Sequence, residues 1–136
     1  MPRYFTPEEA NRALARVGPL MEDLVERRRA LREPQQVLAD FKAKARQGGG
    51  ARRGPNVAEA RKAIDRITSE MRRLATEIQE GGAEIKDLDM GLLDFRALRD
   101  GREVYLCWRV GENRITHWHG LEEGFAGRKP LRLDDF

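Results

Sequence analysis

The stretch NVAEARKAIDRITSEMRRLATEIQEGG, residues 56–82, decides how this chain folds. Val57, Ala60, Ile64, Ile67, Met71, Leu74 and Ile78 recur at alternating spacings of three and four. They therefore line one face of a helix of about 25 residues. Asn56, with Glu59 three residues on, reads as the N-cap of a capping box. Gly81-Gly82 reads as the stop, because glycine adopts the left-handed backbone that a C-cap requires.

The same analysis upstream gives a partner helix. Thr6-Pro7-Glu8-Glu9 combines a capping hydroxyl, proline at the first helical position and a reciprocal glutamate. Ala10, Leu14, Val17, Met21 and Leu24 follow as a stripe, extended by Leu31 and Leu38. Pro19 lacks a backbone donor and predicts a kink; Pro34 predicts a second kink or a break. Between the helices, a flexible basic loop over about residues 46–55 holds three successive glycines. Two striped helices joined in this way pair antiparallel, giving a coiled-coil-like hairpin over residues 1–83. Pairing between chains would satisfy the same stripes.

After Gly82 the periodicity changes. Residues 84–88 read as a short strand, and Leu92-Leu93-Asp94-Phe95 as a second strand or a packing turn. Residues 102–110 form the clearest strand, rich in β-branched and aromatic side chains, with residues 114–119 returning beside it. Residues 120–136 read as a C-terminal loop. The expected fold class is α+β: a long antiparallel two-helix hairpin, then a small antiparallel β-meander of three to four strands. Together they make one domain over residues 1–136, in keeping with the length.

Composition narrows the functional classes. The chain is 36% charged, against roughly a quarter in ordinary globular domains, which fits long solvated helices. No apolar run approaches the roughly 18 residues of a membrane span, and Met1–Thr6 lacks the apolar stretch of a secretory signal. The single cysteine, Cys107, has no internal disulfide partner. A cytoplasmic location is the expectation, with no membrane partner.

Three motif groups, Arg3-Tyr4-Phe5-Thr6 with Glu8-Glu9-Ala10, Asp94-Phe95 through Arg99-Asp100-Gly101-Arg102-Glu103-Val104-Tyr105-Leu106-Cys107-Trp108, and Trp118-His119 with Glu123-Gly124-Phe125-Ala126-Gly127-Arg128, carry a family resemblance. Together they resemble a family of small bacterial proteins known as domain of unknown function 2203. That pattern commonly has glutamine where Lys129 stands here, and it varies at the position of His117. The resemblance implies a fold and a bacterial origin but no activity.

His117 and His119 are two apart on a strand, so both imidazoles face one way, a geometry that can chelate zinc with further ligands. Register then selects those ligands. Matching Val110 to Ile115 puts Trp108 across from His117 and turns Cys107 to the opposite face as a buried structural thiol. Glu122 and Glu123 remain as co-ligands. A three-residue loop instead brings Cys107 across from His117, because one step reverses the side. Trp108, Trp118, His119, Phe125 and Arg128 form a second candidate set, lining a cleft for a partner or small anion. Asp87, Asp89 and Asp94 read as scattered, solvated carboxylates.

The hairpin tip is basic, with Arg46, Arg52 and Arg53 as candidate nucleic-acid contacts. The leading expectation is a non-catalytic interaction or ligand-binding module without a required cofactor, self-associating or holding a protein partner through the hairpin. The alternatives are a small zinc- or other divalent-metal protein or hydrolase using His117 and His119, and RNA or ribosome binding at the tip.

Overall fold

Helix α1 (Pro7–Ala30) begins at the expected capping box. Thr6 Oγ1 accepts a hydrogen bond from the Glu9 backbone at 3.1 Å, and Glu9 Oε1 accepts one from the Thr6 backbone at 2.9 Å. A computed structural model of the protein describes residues 3–48 and 55–136. In it the helix runs without interruption through Pro19, and Ala10, Leu14, Val17, Met21 and Leu24 are all buried. The break associated with Pro34 falls earlier, at Leu31, which separates α1 from α2 (Arg32–Arg46). Pro34 thereby sits in the first turn of α2, where its missing N–H leaves no helical bond unmade.

Helix α3 (Pro55–Glu80) starts with proline rather than at an Asn56 cap. Proline's fixed φ suits the first helical position, so Asn56 lies inside the first turn and the predicted Asn56–Glu59 capping box does not form. Val57, Ala60, Ile67, Leu74 and Ile78 are buried along the stripe. Both α1 and α2 pack on α3, so the hairpin closes within the chain. Gly82, at φ +94°, turns the chain out of α3, and a Cβ there would collide with the Phe5 ring.

The sheet is a continuous antiparallel meander in the order β1 (Ala83–Asp87), β2 (Leu92–Arg99), β3 (Arg102–Arg109), β4 (His117–Gly120) and β5 (Lys129–Pro130). It has five strands rather than three or four, because two residues of the expected C-terminal loop add to its edge. Asp100 (φ 52°) and Gly101 (φ 78°) form the two-residue turn between β2 and β3, matching the twist of the flanking strands. Alternation divides the faces. Ala83, Leu93, Phe95, Ala97, Val104, Leu106 and Trp108 join α1 and α3 in one core. Phe5 meets Phe95 there edge-to-face at 5.1 Å.

The β3–β4 register corrects the Val110–Ile115 match. Cys107 pairs with His117, Leu106 with Trp118 and Tyr105 with His119. The cause lies in the loop. Ile115 is drawn into the helical core, 2% exposed, and its backbone N–H donates to Asn11 Oδ1 of α1 at 2.8 Å. Trp108 Nε1 donates to the Glu112 carbonyl at 2.9 Å, holding the turn open. Val110 donates instead to the Gly91 carbonyl, so β3 and β4 first meet at Cys107 and His117.

Replacing Asn11 with Ala strands the Ile115 N–H and should cost about 1–3 kcal/mol. Urea denaturation measures this, with Arg12→Ala on the exposed side of the same turn changing stability by less than about 0.5 kcal/mol.

Candidate functional site

The sheet face turned away from the helices is not simply a solvated surface. Across β2, β3 and β4 it presents Asp94, Cys107 and His119, which are 2%, 1% and 4% exposed. Asp94 is the cross-strand partner of Cys107, and His119 comes from the next strand, two pairs further along, opposite Tyr105. Residues 121–128 fold back over them, with a short 3₁₀ turn at Phe125–Gly127. A cavity of about 310 Å³ remains beneath this loop, lined by Asp94, Cys107, His119, Tyr105, Leu121 and Phe125, among others.

The histidine is held at both nitrogens. Nδ1 lies 2.8 Å from the Gly120 carbonyl, so it must be the donor there, and Nε2 lies 3.0 Å from Asp94 Oδ2. Burial works to lower the imidazole pKa. The bond to Asp94, the adjacent Cys107 sulfur, the Gly120 carbonyl and the Asp94 charge together outweigh it and raise the pKa to about 10. At neutral pH the site therefore holds a buried imidazolium–carboxylate pair. The second Asp94 oxygen, Oδ1, is buried without a hydrogen-bond partner. Such a group is costly to leave unsatisfied. Among the described residues, Asp94, Cys107 and His119 form a group whose donor atoms all lie within 4.8 Å of one another.

Asp94 is thus not a solvated strand-edge carboxylate, and Cys107 lies on the His117/His119 face rather than beside Trp118. Both corrections follow from the register. The remaining sequence candidates are dispersed. Trp108 and Trp118 lie on the helix side of the sheet, with Trp118 flanked by Arg99 and Lys129. Phe125 does line the cavity, and Arg128 sits over its ring at 4.6 Å while binding both carboxylate oxygens of Glu112 at 2.9 Å. His117 is half-buried, with Nδ1 2.9 Å from Thr116 Oγ1. Glu122 is exposed. Glu123 accepts from the Gly120 N–H and from Lys129, contacts that hold its carboxyl below the usual range, the Lys129 bond foremost. Glu123 lines the cavity with His119 but is engaged by Gly120 and Lys129, and among the described residues the close donor group is Asp94, Cys107 and His119, without His117, Glu122 or Glu123.

At the hairpin tip Arg46 is exposed, its Nε donating to the Lys42 carbonyl, whereas Arg52 and Arg53 lie outside the described residues. A wider cleft lined by Arg28, Arg29, Arg32 and Asp89 lies near the α1–α2 junction, but its Arg28–Asp89 pair is exposed. Among the described residues, no helix is long and apolar enough to cross a membrane.

The family model described as Uncharacterized conserved protein (DUF2203) matches residues 3–131, nearly the whole chain. The chain belongs to this family. That span takes in all three residues of the buried cluster. No curated protein and no solved structure matches the chain.

Sequence reasoning missed Asp94 and misplaced Cys107. One signal was present: Asp94 interrupts an otherwise apolar run, Leu92-Leu93-Asp94-Phe95.

A folded-state pKa raised from 6.5 to about 10 contributes stability that is complete below about pH 6.5 and lost as pH rises through about 10. In chelator-containing buffer, the His119 Hε1 resonance should show a charged ring at pH 8. Asp94→Asn should move its titration midpoint downward; a wild-type midpoint near 6.5 contradicts the ion pair.

Proposed function

We propose that the protein is a non-catalytic binding module whose site is the cavity between residues 121–128 and the outer face of the sheet, taking a small polar ligand or ion. The observation that carries this reading is the buried, unpartnered Asp94 Oδ1 at the cavity, beside the His119 imidazolium. Burial of two charges and a thiol on a sheet face that could stay solvated works against stability. A ligand that satisfies Asp94 offsets that cost. Binding rather than proton abstraction is favoured because both His119 nitrogens are already committed, one to Gly120 and one to Asp94.

Gly124 offers a direct test. It lies on the cavity lining, its φ of −109° suits any residue, and a Cβ there would meet nothing within 4 Å. Gly124→Trp should therefore close the mouth without disturbing the fold. In ¹H–¹⁵N spectra, a panel of zinc chloride, sodium phosphate, sodium acetate, imidazole and methylamine is titrated separately into metal-stripped protein. At least one probe should give saturable shifts at Asp94, Cys107, His119 and Gly124, weakened at least tenfold by Gly124→Trp. Shifts confined to other surfaces, or binding unchanged in that variant, would overturn the assignment.

A further inference from the structure

We propose that Asp94, Cys107 and His119 form a binding site for a divalent transition-metal ion of the zinc class, one ion per chain. This rests on the cavity reading above and names the ligand. Each residue supplies a donor of a different kind: a carboxylate oxygen, a thiolate sulfur and an imidazole nitrogen. A mixed oxygen, nitrogen and sulfur set suits zinc and its neighbours, whereas magnesium and calcium favour all-oxygen shells.

The geometry of the histidine supports the same assignment. A metal-bound imidazole characteristically donates its other N–H to a carbonyl or carboxylate, which fixes the tautomer and aims the free nitrogen. Here Nδ1 donates to the Gly120 carbonyl, which leaves Nε2, hydrogen-bonded to Asp94 Oδ2 in the metal-free protein, as the nitrogen that takes the ion when its proton is displaced. The unpartnered Asp94 Oδ1, in a residue only 2% exposed, is an independent indication that this carboxylate is built to face something else.

Spacing is compatible with small adjustments. Tetrahedral zinc with ligand bonds of about 2.0–2.3 Å holds its donor atoms about 3.3–3.6 Å apart. The present donors lie within 4.8 Å of one another, and Asp94 Oδ2 and His119 Nε2, 3.0 Å apart, need open by only a few tenths of an ångström. The three residues stand on hydrogen-bonded neighbouring strands, so the sheet itself sets their separation. Two anionic ligands also neutralise a divalent ion in a buried place. With three protein ligands, the fourth position faces the cavity, open to water or a small ligand, as in non-structural zinc sites.

The test uses untagged full-length protein stripped with a chelator and then dialysed against zinc chloride or cobalt chloride. Elemental analysis should find one zinc per chain. The cobalt form should show tetrahedral d–d absorption and a near-ultraviolet thiolate-to-cobalt band. Cys107→Ser should abolish that band, and His119→Ala should weaken zinc binding at least a hundredfold. His117→Ala, outside the triad, should change it less than twofold. Circular dichroism establishes that each variant is folded, and the wild-type cobalt spectrum is read without any substitution. Absence of stoichiometric zinc, a cobalt form without the thiolate band, or loss of binding in His117→Ala overturns the metal assignment. If zinc fails while another probe of the panel occupies the cavity, the metal inference falls and the binding-module reading stands; if no probe occupies it, both fall.

Discussion

A hydrogen bond from the Ile115 backbone to the Asn11 side chain, between residues 104 apart in sequence, sets the arrangement on which the candidate site depends. It holds the β3–β4 connection against α1 while Ile115 fills the core. The chain can then resume pairing only at His117. Since side chains alternate at every residue of a strand, that one choice fixes which face each of them serves. With Cys107 opposite His117, the thiol, Asp94 and His119 fall on the same side; one step of slippage would scatter them. A contact made by the helices on the inner face thus decides the chemistry of the outer one.

The two faces of the sheet obey different economies. The inner face is apolar and is stabilised by burial against α1 and α3, reinforced by the Phe5–Phe95 contact. The outer face carries polar networks. Near β1, the buried Tyr105 donates to Glu84 while accepting from Arg96, and the two charged partners reach solvent. Only a few ångströms along β3, the same face is covered by residues 121–128, with the cavity beneath them. Arg128 contributes to that cover by clamping Glu112 and lying over Phe125. The loop residues that drew attention in the sequence act chiefly as a roof, while the groups beneath it came from strands.

The helices were legible because their information is local. The stripe from Val57 to Ile78, the Thr6–Glu9 capping box and the paired glycines at 81–82 each determine structure within a few residues. Even so, the neighbouring proline moved the start of α3 away from Asn56, and Pro34 displaced the helix break to Leu31. The site was illegible for the opposite reason. Whether Cys107 faces His117 or turns away depends on how a seven-residue connection packs against a helix begun a hundred residues earlier. Pairing Val110 with Ile115 satisfied local hydrophobic matching, but the core offered Ile115 deeper burial. Asp94 was readable only as an anomaly, a lone carboxylate among large apolar neighbours.

The join at Leu31 also separates the molecule into a part that holds the cavity and a part that carries reach. Beyond it, α2 leans on α3 as an arm of about 22 Å, given 15 residues at about 1.5 Å each. Pro34 is its buried residue, and the arm contributes nothing to the cavity. Its length is therefore an independent variable. Whole heptads added to or removed from both α2 and the facing half of α3 would preserve the stripe and leave the strands untouched. The fold is modular in this sense, able to change its span without renegotiating the geometry at its base.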